Sequence, residues 1–170
     1  LQALITGLYD LSRLEAGGYV LQREPIQVQS LLYELAAAFY YDFQEVGIEP
    51  DLEGVLQDMP PIQADKEAVA RVYTNLFQNA LKHASEKLVI TAYCQGTWLH
   101  TTFSNRAEML TEEDVAHLFD RFYTADKMRT GRNTGLGLAI VRNLVQQMGG
   151  RVSAKLWQGV LTIYVDWPLT

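Results

Sequence analysis

The sequence predicts an α+β fold: a two-layer α/β sandwich in which helices cover one face of a mixed, mostly antiparallel sheet. Paired strand-like runs joined by short glycine-containing turns, at residues 87–104 and 151–167, indicate two β-hairpins. Apolar residues at helical spacing indicate four helices, at residues 1–15, 30–46, 65–83 and 136–148. A length of 170 residues, 48% of them hydrophobic, fits one domain of ordinary size with a short appendage.

The first predicted helix ends before Gly17-Gly18 and carries an apolar stripe. The stripe consists of Leu4, Leu8, Leu11 and Leu14. Because few residues precede this helix to give it a core, we expect the stripe to pack on a partner that this chain lacks. The sequence also opens in mid-helix without Met, so we expect it to be a fragment of a longer protein.

The next segments should form the outer part of the domain. Residues 19–28 are expected to be extended, since Pro25 disfavours a helical conformation in the residue before it. The helix at 30–46 should end at Gly47, and strands are expected at 48–56 and 62–64.

The helix capped by Asp65 has two faces that differ in chemistry. Its apolar face consists of Val69, Val72, Leu76 and Ala80. Its polar stripe consists of Arg71, Asn75, Asn79 and Lys82. Asn is a mediocre helix former, whereas amide oxygens suit magnesium and an ammonium group suits phosphate. The stripe therefore indicates a metal–phosphate site, although a solvated helix face would show the same pattern when taken alone.

A second phosphate-binding feature lies near the C-terminus. After the hairpin at 87–104, Thr111 should cap a short helix that ends near Phe119, and residues 123–134 form a loop poor in apolar side chains. Gly135-Leu136-Gly137-Leu138 then opens a helix, where small residues let a polyphosphate approach the free backbone amides. The segment lacks the Gly-Lys-Ser/Thr of a P-loop and the third glycine of a dinucleotide fingerprint.

Composition excludes several classes of function. The net charge of −6 and the absence of a basic stripe argue against a nucleic-acid binder. Cys94 is the one cysteine, so it forms no internal disulfide or zinc pair, and we expect a buried small side chain in a reducing compartment. The sequence contains no apolar run of membrane-spanning length, and residues 1–14 lack the basic start expected of a signal peptide. A cytoplasmic location is expected, whether or not a parent protein is anchored in a membrane.

Three segments, in this order and spacing, resemble the ATP-binding domain of sensor histidine kinases, which share a wider group with DNA gyrase, mismatch-repair and heat-shock ATPases. The segments are Asn75…Asn79…Lys82, then Phe119-Asp120-Arg121-Phe122-Tyr123, then Gly135-Leu136-Gly137-Leu138-Ala139-Ile140-Val141. The resemblance covers residues 22–168. Residues 8–17 are similar to the end of the second helix of the kinases' dimerisation domain. Residues 1–18 are accordingly assigned to that helix and residues 19–170 to the ATP-binding catalytic domain.

The resemblance implies specific roles. Asn79 would ligate magnesium, Asn75 and Lys82 would contact the phosphates or the metal's water shell, and residues 124–134 would form a lid over ATP. Phe119 and Phe122 would anchor that lid in the apolar core. The implied ATP-binding residues are Asn75, Asn79, Lys82, Asn105, Met109, Arg129, Arg132, Thr134, Gly135, Leu136, Gly137 and Leu138.

This sequence departs from the family pattern on the side that would bind the base. The family's first glycine box usually reads Asp-x-Gly-x-Gly, and the matching positions hold Asn105, Ala107 and Met109. Asn105 can still accept a hydrogen bond from the adenine amine, but without charge. Met109 is expected beside the base, and nucleotide binding should be weaker. Gln78 stands where such kinases often have an acidic residue, and Asn133 where another glycine is common.

The resemblance implies an enzyme module that binds Mg-ATP and transfers the γ-phosphoryl group to a histidine on a dimerisation domain. Relay to a response regulator and a homodimeric full-length protein follow from the same resemblance. None of His83, His100 and His117 matches the position of the acceptor. Two alternatives remain: a degenerate, non-catalytic regulatory module, and a gyrase-type ATP hydrolase. The hydrolase needs a carboxylate base, but residues 75 and 78 are Asn and Gln.

Overall fold

The computed structural model describes residues 1–17, 19–124 and 135–169. The elements in chain order are α1 (Gln2–Glu15), β1 (Arg23–Ile26), α2 (Val28–Ala38), α3 (Tyr40–Val46), β2 (Glu49–Val55), β3 (Ile62–Asp65), α4 (Lys66–His83), β4 (Lys87–Gln95), β5 (Trp98–Arg106), α5 (Glu112–Ala116), α6 (Gly137–Gln147), β6 (Arg151–Trp157) and β7 (Val160–Pro168). Both predicted hairpins, β4–β5 and β6–β7, are present.

The main sheet has five strands in the order β2-β4-β5-β7-β6, and β1 pairs with β3 in a separate two-stranded sheet. The β2–β4 pair is parallel, whereas β4–β5, β5–β7 and β6–β7 are antiparallel. Along β4, β5, β6 and β7, more buried residues largely alternate with more exposed ones, and helices α2, α4 and α6 supply the other half of the core. The predicted α+β sandwich is confirmed.

The helix expected over residues 30–46 is in fact two helices. α2 begins earlier, at Val28, and the chain leaves helical geometry at Phe39, where φ is −91° and ψ is 1°. This break lets the rings of Phe39 and Phe43 both pack on Phe77, with centroids 5.5 Å and 6.1 Å away. Aromatic packing in the core therefore overrides the continuous helical pattern of the sequence. α3 ends at Gly47, whose φ of +73° suits glycine.

Asp65 fixes the start of α4, as the sequence predicted. Its carboxylate accepts a hydrogen bond from the backbone N–H of Ala68 at 3.0 Å and a second from the N–H of Gln22 at 2.8 Å. Burial acts to raise the pKa of this carboxyl group, but the backbone hydrogen bonds and the Tyr19 hydroxyl outweigh it and lower the pKa. The cap thereby also ties the segment that follows α1 to the main domain.

A chain of buried hydrogen bonds joins α4 to the sheet. The indole N–H of Trp167 donates to the Tyr73 hydroxyl at 2.7 Å, and the Thr101 hydroxyl donates to the carbonyl of Val165 at 2.8 Å. Tyr73 therefore donates its own proton to Thr101 Oγ1, 2.8 Å away. Each polar atom of this network has a partner inside the core, as the cost of burying polar groups requires.

We expect Tyr73→Phe to lower the free energy of unfolding by about 1–3 kcal/mol, because it leaves the Trp167 indole N–H buried without an acceptor. Denaturant unfolding followed by tryptophan fluorescence measures this change. Tyr33→Phe is the matched control, since the Tyr33 side chain is 41% exposed and water can replace its partners. We expect the control to change stability by less than about 0.5 kcal/mol. Equal losses in the two variants would contradict this account of the network.

Two smaller predictions about composition can also be compared with the structure. Cys94 is half-buried in β4, less enclosed than the sequence suggested, and burial raises the pKa of its thiol. Within residues 1–17, 19–124 and 135–169, the helices are too short or too polar to cross a membrane.

Candidate functional site

The elements that carry the predicted site residues meet at one cavity of about 1320 Å³. Helix α4, the turn that opens α6 and the end of β5 each form part of its wall. The predicted residues that line it are Asn75, Asn79, Lys82, Asn105, Met109, Gly135, Leu136, Gly137 and Leu138. Arg129, Arg132 and Thr134, like residues 125–134 of the predicted lid as a whole, lie outside the described residues.

Helix α4 packs its apolar face into the core and turns its polar stripe toward the cavity. Leu76 and Ala80, on its apolar face, are 1% and 3% exposed, while Asn75 and Asn79 are half-buried on the cavity side. The Asn75 amide Nδ2 donates a hydrogen bond to the carbonyl of Gly137 at 3.1 Å. This bond joins α4 to the first turn of α6, so Asn75 holds together the two elements that the sequence predicts to bind phosphate. Sequence reasoning did not foresee that contact.

The turn that opens α6, residues 135–137 (the glycine turn), is shaped by contacts between its backbone and residues before the predicted lid. Gly135 has φ of +68°, and a Cβ at this position would lie 2.6 Å from the carbonyl carbon of Phe122. The backbone N–H of Phe122 donates to the carbonyl of Gly135 at 2.9 Å. Gly135 is therefore required by the turn itself. A Cβ on Gly137 would meet no atom within 4 Å, so this glycine leaves open space at the start of α6.

The expectation that Phe119 and Phe122 both anchor the lid segment in the core is wrong for Phe122. Phe122 is 55% exposed, and its backbone φ is +61°. Phe119 is partly buried against the core. The neighbouring Tyr123 lines the cavity, and its hydroxyl donates to Asp114 of α5. That hydrogen bond, together with burial, raises the pKa of Tyr123 to about 12.

The predicted base side of the cavity is formed where β5 ends. Asn105 is 8% exposed, and its Nδ2 donates to the carbonyl of Arg106 at 3.0 Å. This bond uses a donor of the amide, so the side-chain oxygen is the group suited to accept from a ligand. The N–H of Ala107 donates to the carbonyl of Gly159 at 2.8 Å, which fixes the turn that follows. Met109 on that turn is 93% exposed at the cavity.

Helix α1 is a wall of the same cavity, which the sequence did not indicate. The lining residues that it contributes are Gln2, Ala3, Thr6, Gly7 and Asp10. A Cβ on Gly7 would lie 3.0 Å from Leu136 Cδ1, so the small residue allows α1 to approach the glycine turn closely. A glycine within a helical pattern was the one sequence feature that could have suggested this approach.

The expectation that the apolar stripe of α1 waits for a missing partner is wrong for its second half. Leu11 and Leu14 are 3% and 5% exposed, because they pack with the core beside α6. Gln147 of α6 also donates from Nε2 to the carbonyl of Leu14 at 3.1 Å. Leu4 is also partly buried against the core, whereas Leu8 remains 41% exposed. Leu1 and Ile5, on the first half of the helix, are more exposed than Leu8.

Comparison with known proteins places this arrangement in a family. The model of the family described as histidine kinase-, DNA gyrase B-, and HSP90-like ATPase matches residues 64–170. The signal transduction histidine-protein kinase BaeS of Escherichia coli K12 is 29% identical over 174 residues, which cover 99% of this chain and 37% of BaeS. This chain thus spans little more than a third of that relative.

Solved structures share the same fold. Full-length ShkA in complex with AMPPNP superposes with a TM-score of 0.85 at 25% identity, covering 98% of this chain and 35% of ShkA. The histidine kinase ThkA, in complex with the response regulator protein TrrA, gives a TM-score of 0.77 at 22% identity, covering 98% of this chain and 48% of ThkA. Because the family model matches more than half of its residues, this chain belongs to the histidine kinase-, DNA gyrase B-, and HSP90-like ATPase family, and it is an ATP-binding domain of the sensor histidine kinase type.

Proposed function

We propose that this chain binds Mg-ATP and transfers the γ-phosphoryl group to a histidine on the dimerisation domain of the same protein, for relay to a response regulator. One observation carries the proposal. The polar stripe of α4 and the glycine turn before α6 line a single cavity, where the Asn75–Gly137 hydrogen bond joins them. Two phosphate-side features that are separate in sequence are thereby brought to one place. The cavity, at about 1320 Å³, is large enough for a nucleotide.

The donor set fits magnesium held mainly by phosphate oxygens. In the part of the chain that the structure describes, no group of three or more His, Cys, Asp or Glu side chains could hold a metal. Magnesium commonly takes one or two protein ligands and otherwise binds substrate phosphates and water. The Asn79 amide oxygen would serve as such a ligand, and the ion would neutralise phosphate charge. Asn75 lies one helical turn away at the wall of the same cavity.

Side chains and backbone of this domain would then orient the nucleotide. Lys82 places an ammonium group at the cavity wall, where it can neutralise phosphate charge. The backbone at Gly137 has space for close approach of an anion to the start of α6. Asn105 would accept from the exocyclic amine of adenine. Catalysis in this scheme consists of positioning and charge neutralisation, without covalent participation of the domain.

We also propose the division of the chain into residues 1–18, the end of the second dimerisation helix, and residues 19–170, the catalytic domain. The exposed apolar side chains Leu1, Ile5 and Leu8 on α1 support a helix partner, as expected for a homodimeric kinase. A response regulator is the proposed protein partner of the full-length kinase, because the ThkA structure contains one. Two-component signalling in the cytoplasm is the setting that this function requires.

The proposal is tested by calorimetric titration of the chain with AMPPNP in the presence of magnesium. We expect weak binding, because Ala107 and Met109 replace glycines on the base side while the phosphate-side residues are retained. Circular dichroism on the same sample establishes that it is folded. A folded sample that releases no heat up to millimolar nucleotide would show the proposal to be wrong.

One alternative is supported by a specific observation. The turn after β5 carries Ala107, which is held by the Gly159 carbonyl, and the bulky Met109, where the family usually has glycines. A degenerate module that no longer binds nucleotide, or binds it without catalysis, would tolerate these residues. If AMPPNP binds but ATP with magnesium transfers no phosphoryl group to a supplied dimerisation domain, the non-catalytic regulator becomes the better account.

A further inference from the structure

Arg71 belongs to the polar stripe of α4, but the proposed function gives it no role. It lies one helical turn before Asn75 and lines the same cavity. Its guanidinium Nη2 forms an ion pair with the carboxylate of Asp10 on α1. The Arg71 and Asp10 side chains are 37% and 22% exposed, so the pair sits at the edge of the cavity, partly shielded from water.

The geometry of α1 brings Asp10 close to the predicted phosphate side. Ala3, Gly7 and Asp10 follow each other at steps of four and three, so they share one face of α1, and all three line the cavity. Gly7 packs directly against Leu136 of the glycine turn, with only 3.0 Å between a notional Cβ and Leu136 Cδ1. Asp10 lies about one helical turn after Gly7. It therefore places a negative charge on the cavity wall beside the glycine turn.

A carboxylate in this wall opposes a polyphosphate ligand, and a guanidinium favours it. In the observed arrangement the two charges neutralise each other. We propose that Arg71 is a phosphate-binding residue of this domain that Asp10 of α1 masks, so that the charge facing the nucleotide depends on whether α1 is docked. This inference rests on the proposed function, because it presumes a nucleotide polyphosphate in the cavity.

The inference leads to opposite effects for the two members of one ion pair. Asp10→Asn releases the Arg71 guanidinium to the ligand and removes a repulsive charge, so nucleotide affinity should rise. Arg71→Gln removes the cation and leaves the Asp10 carboxylate unpaired, so affinity should fall. A purely structural ion pair would give changes of the same sign, because either substitution breaks the same contact and loosens α1 to the same extent.

The coupling also works in the reverse direction. A ligand that binds more tightly when Arg71 is unmasked must favour the state in which α1 has moved away, by the same factor. Bound nucleotide should therefore weaken the docking of α1, and mutations that undock α1 through this pair should strengthen nucleotide binding.

The experiment is calorimetric titration of AMPPNP with magnesium into wild type, Asp10→Asn, Arg71→Gln and the double variant. At low salt we expect about three- to tenfold tighter binding for Asp10→Asn and about three- to tenfold weaker binding for Arg71→Gln, the scale of a single charge near a partly exposed polyanion. The double variant restores local neutrality and should return to within about twofold of wild type. Raising the salt concentration to about 0.5 M should shrink all three differences, since ions screen them.

The chain offers a matched control in a second ion pair between α1 and the domain. Glu15 on α1 pairs with Arg121, and neither residue is among those that line the cavity. Glu15→Gln therefore loosens α1 without changing the charge of the cavity wall. We expect its nucleotide affinity to rise by no more than about twofold, well below the gain of Asp10→Asn, because the Asp10 carboxylate still masks Arg71 in every molecule whose α1 stays docked. Thermal unfolding should show similar stability losses for Glu15→Gln and Asp10→Asn.

The outcomes separate this inference from the proposed function. Wild-type binding with equal or weaker affinity in Asp10→Asn would overturn the masking by Asp10 and leave the proposed function intact. Affinity gains of the same size in Asp10→Asn and Glu15→Gln would also overturn it, since loosening of α1 alone would then explain the gain. No binding by folded wild type or by any variant would overturn the proposed function, and this inference with it.

Discussion

Asn79→Ala is expected to abolish the magnesium dependence of AMPPNP binding and to weaken binding by more than about 100-fold. Loss of an amide oxygen that ligates the metal leaves a coordination position that the protein cannot refill, whereas losses among groups that support the ligands cost about 10–100-fold. Asn75→Ala should fall in that lower range and keep its magnesium dependence. The Asn75 amide is bonded to the Gly137 carbonyl, so its loss mainly frees the start of α6 from α4.

Calorimetric titrations with and without magnesium measure both affinities and their metal dependence. Asn143→Ala is the matched control: it removes an amide from a helix position on α6 that does not line the cavity. Its affinity should match wild type within about twofold. The assignment of Asn79 fails if that variant binds AMPPNP as well as wild type does, in both the presence and the absence of magnesium.

The fold was largely predictable because its elements are specified by local signals. Asp65 caps α4 as its side-chain chemistry indicates, and Thr111 begins α5 with a capping box that involves Asp114. Gly47 ends α3 in the left-handed conformation for which glycine is suited. The break at Phe39 was not predictable in this way, because it depends on the distant ring of Phe77. Periodicity along one segment carries no information about such a contact.

The candidate site was predictable where one element carries several of the predicted residues. The stripe on α4 and the glycines before α6 each form a local pattern, and the structure brings both patterns to one cavity. The contribution of α1 depends instead on tertiary contacts, such as Gly7 against Leu136 and Arg71 with Asp10, between residues far apart in the chain. Phe122 is exposed, and its backbone N–H bonds to Gly135; an aromatic residue in a motif reveals neither feature.

The acceptor of the phosphoryl group should lie on a separate dimerisation domain, since the histidines of this chain are poorly placed. His100 on β5 is bound through Nδ1 to Asp166 at 2.8 Å, and His117 is bound to Asp120 at 2.8 Å. Neither of these two lines the cavity. His83 does line it, but it lies on α4 one turn after Asn79, so it cannot move independently toward a γ-phosphate held by the same helix.

With radiolabelled ATP and magnesium, we therefore expect no label on this chain alone and clear label on a dimerisation domain of the same protein that is supplied in trans. Transfer depends on bringing an acceptor into line with the γ-phosphate, which a separate domain can do at a lower effective concentration. We expect no label in two controls: the dimerisation domain with its acceptor histidine replaced by Gln, and the Asn79→Ala variant of this chain. Label on this chain alone would show that the acceptor has been misplaced. If the wild-type chain and the unmodified dimerisation domain give no label although AMPPNP binds, the domain is a non-catalytic regulator, because it then binds nucleotide without transferring its phosphoryl group.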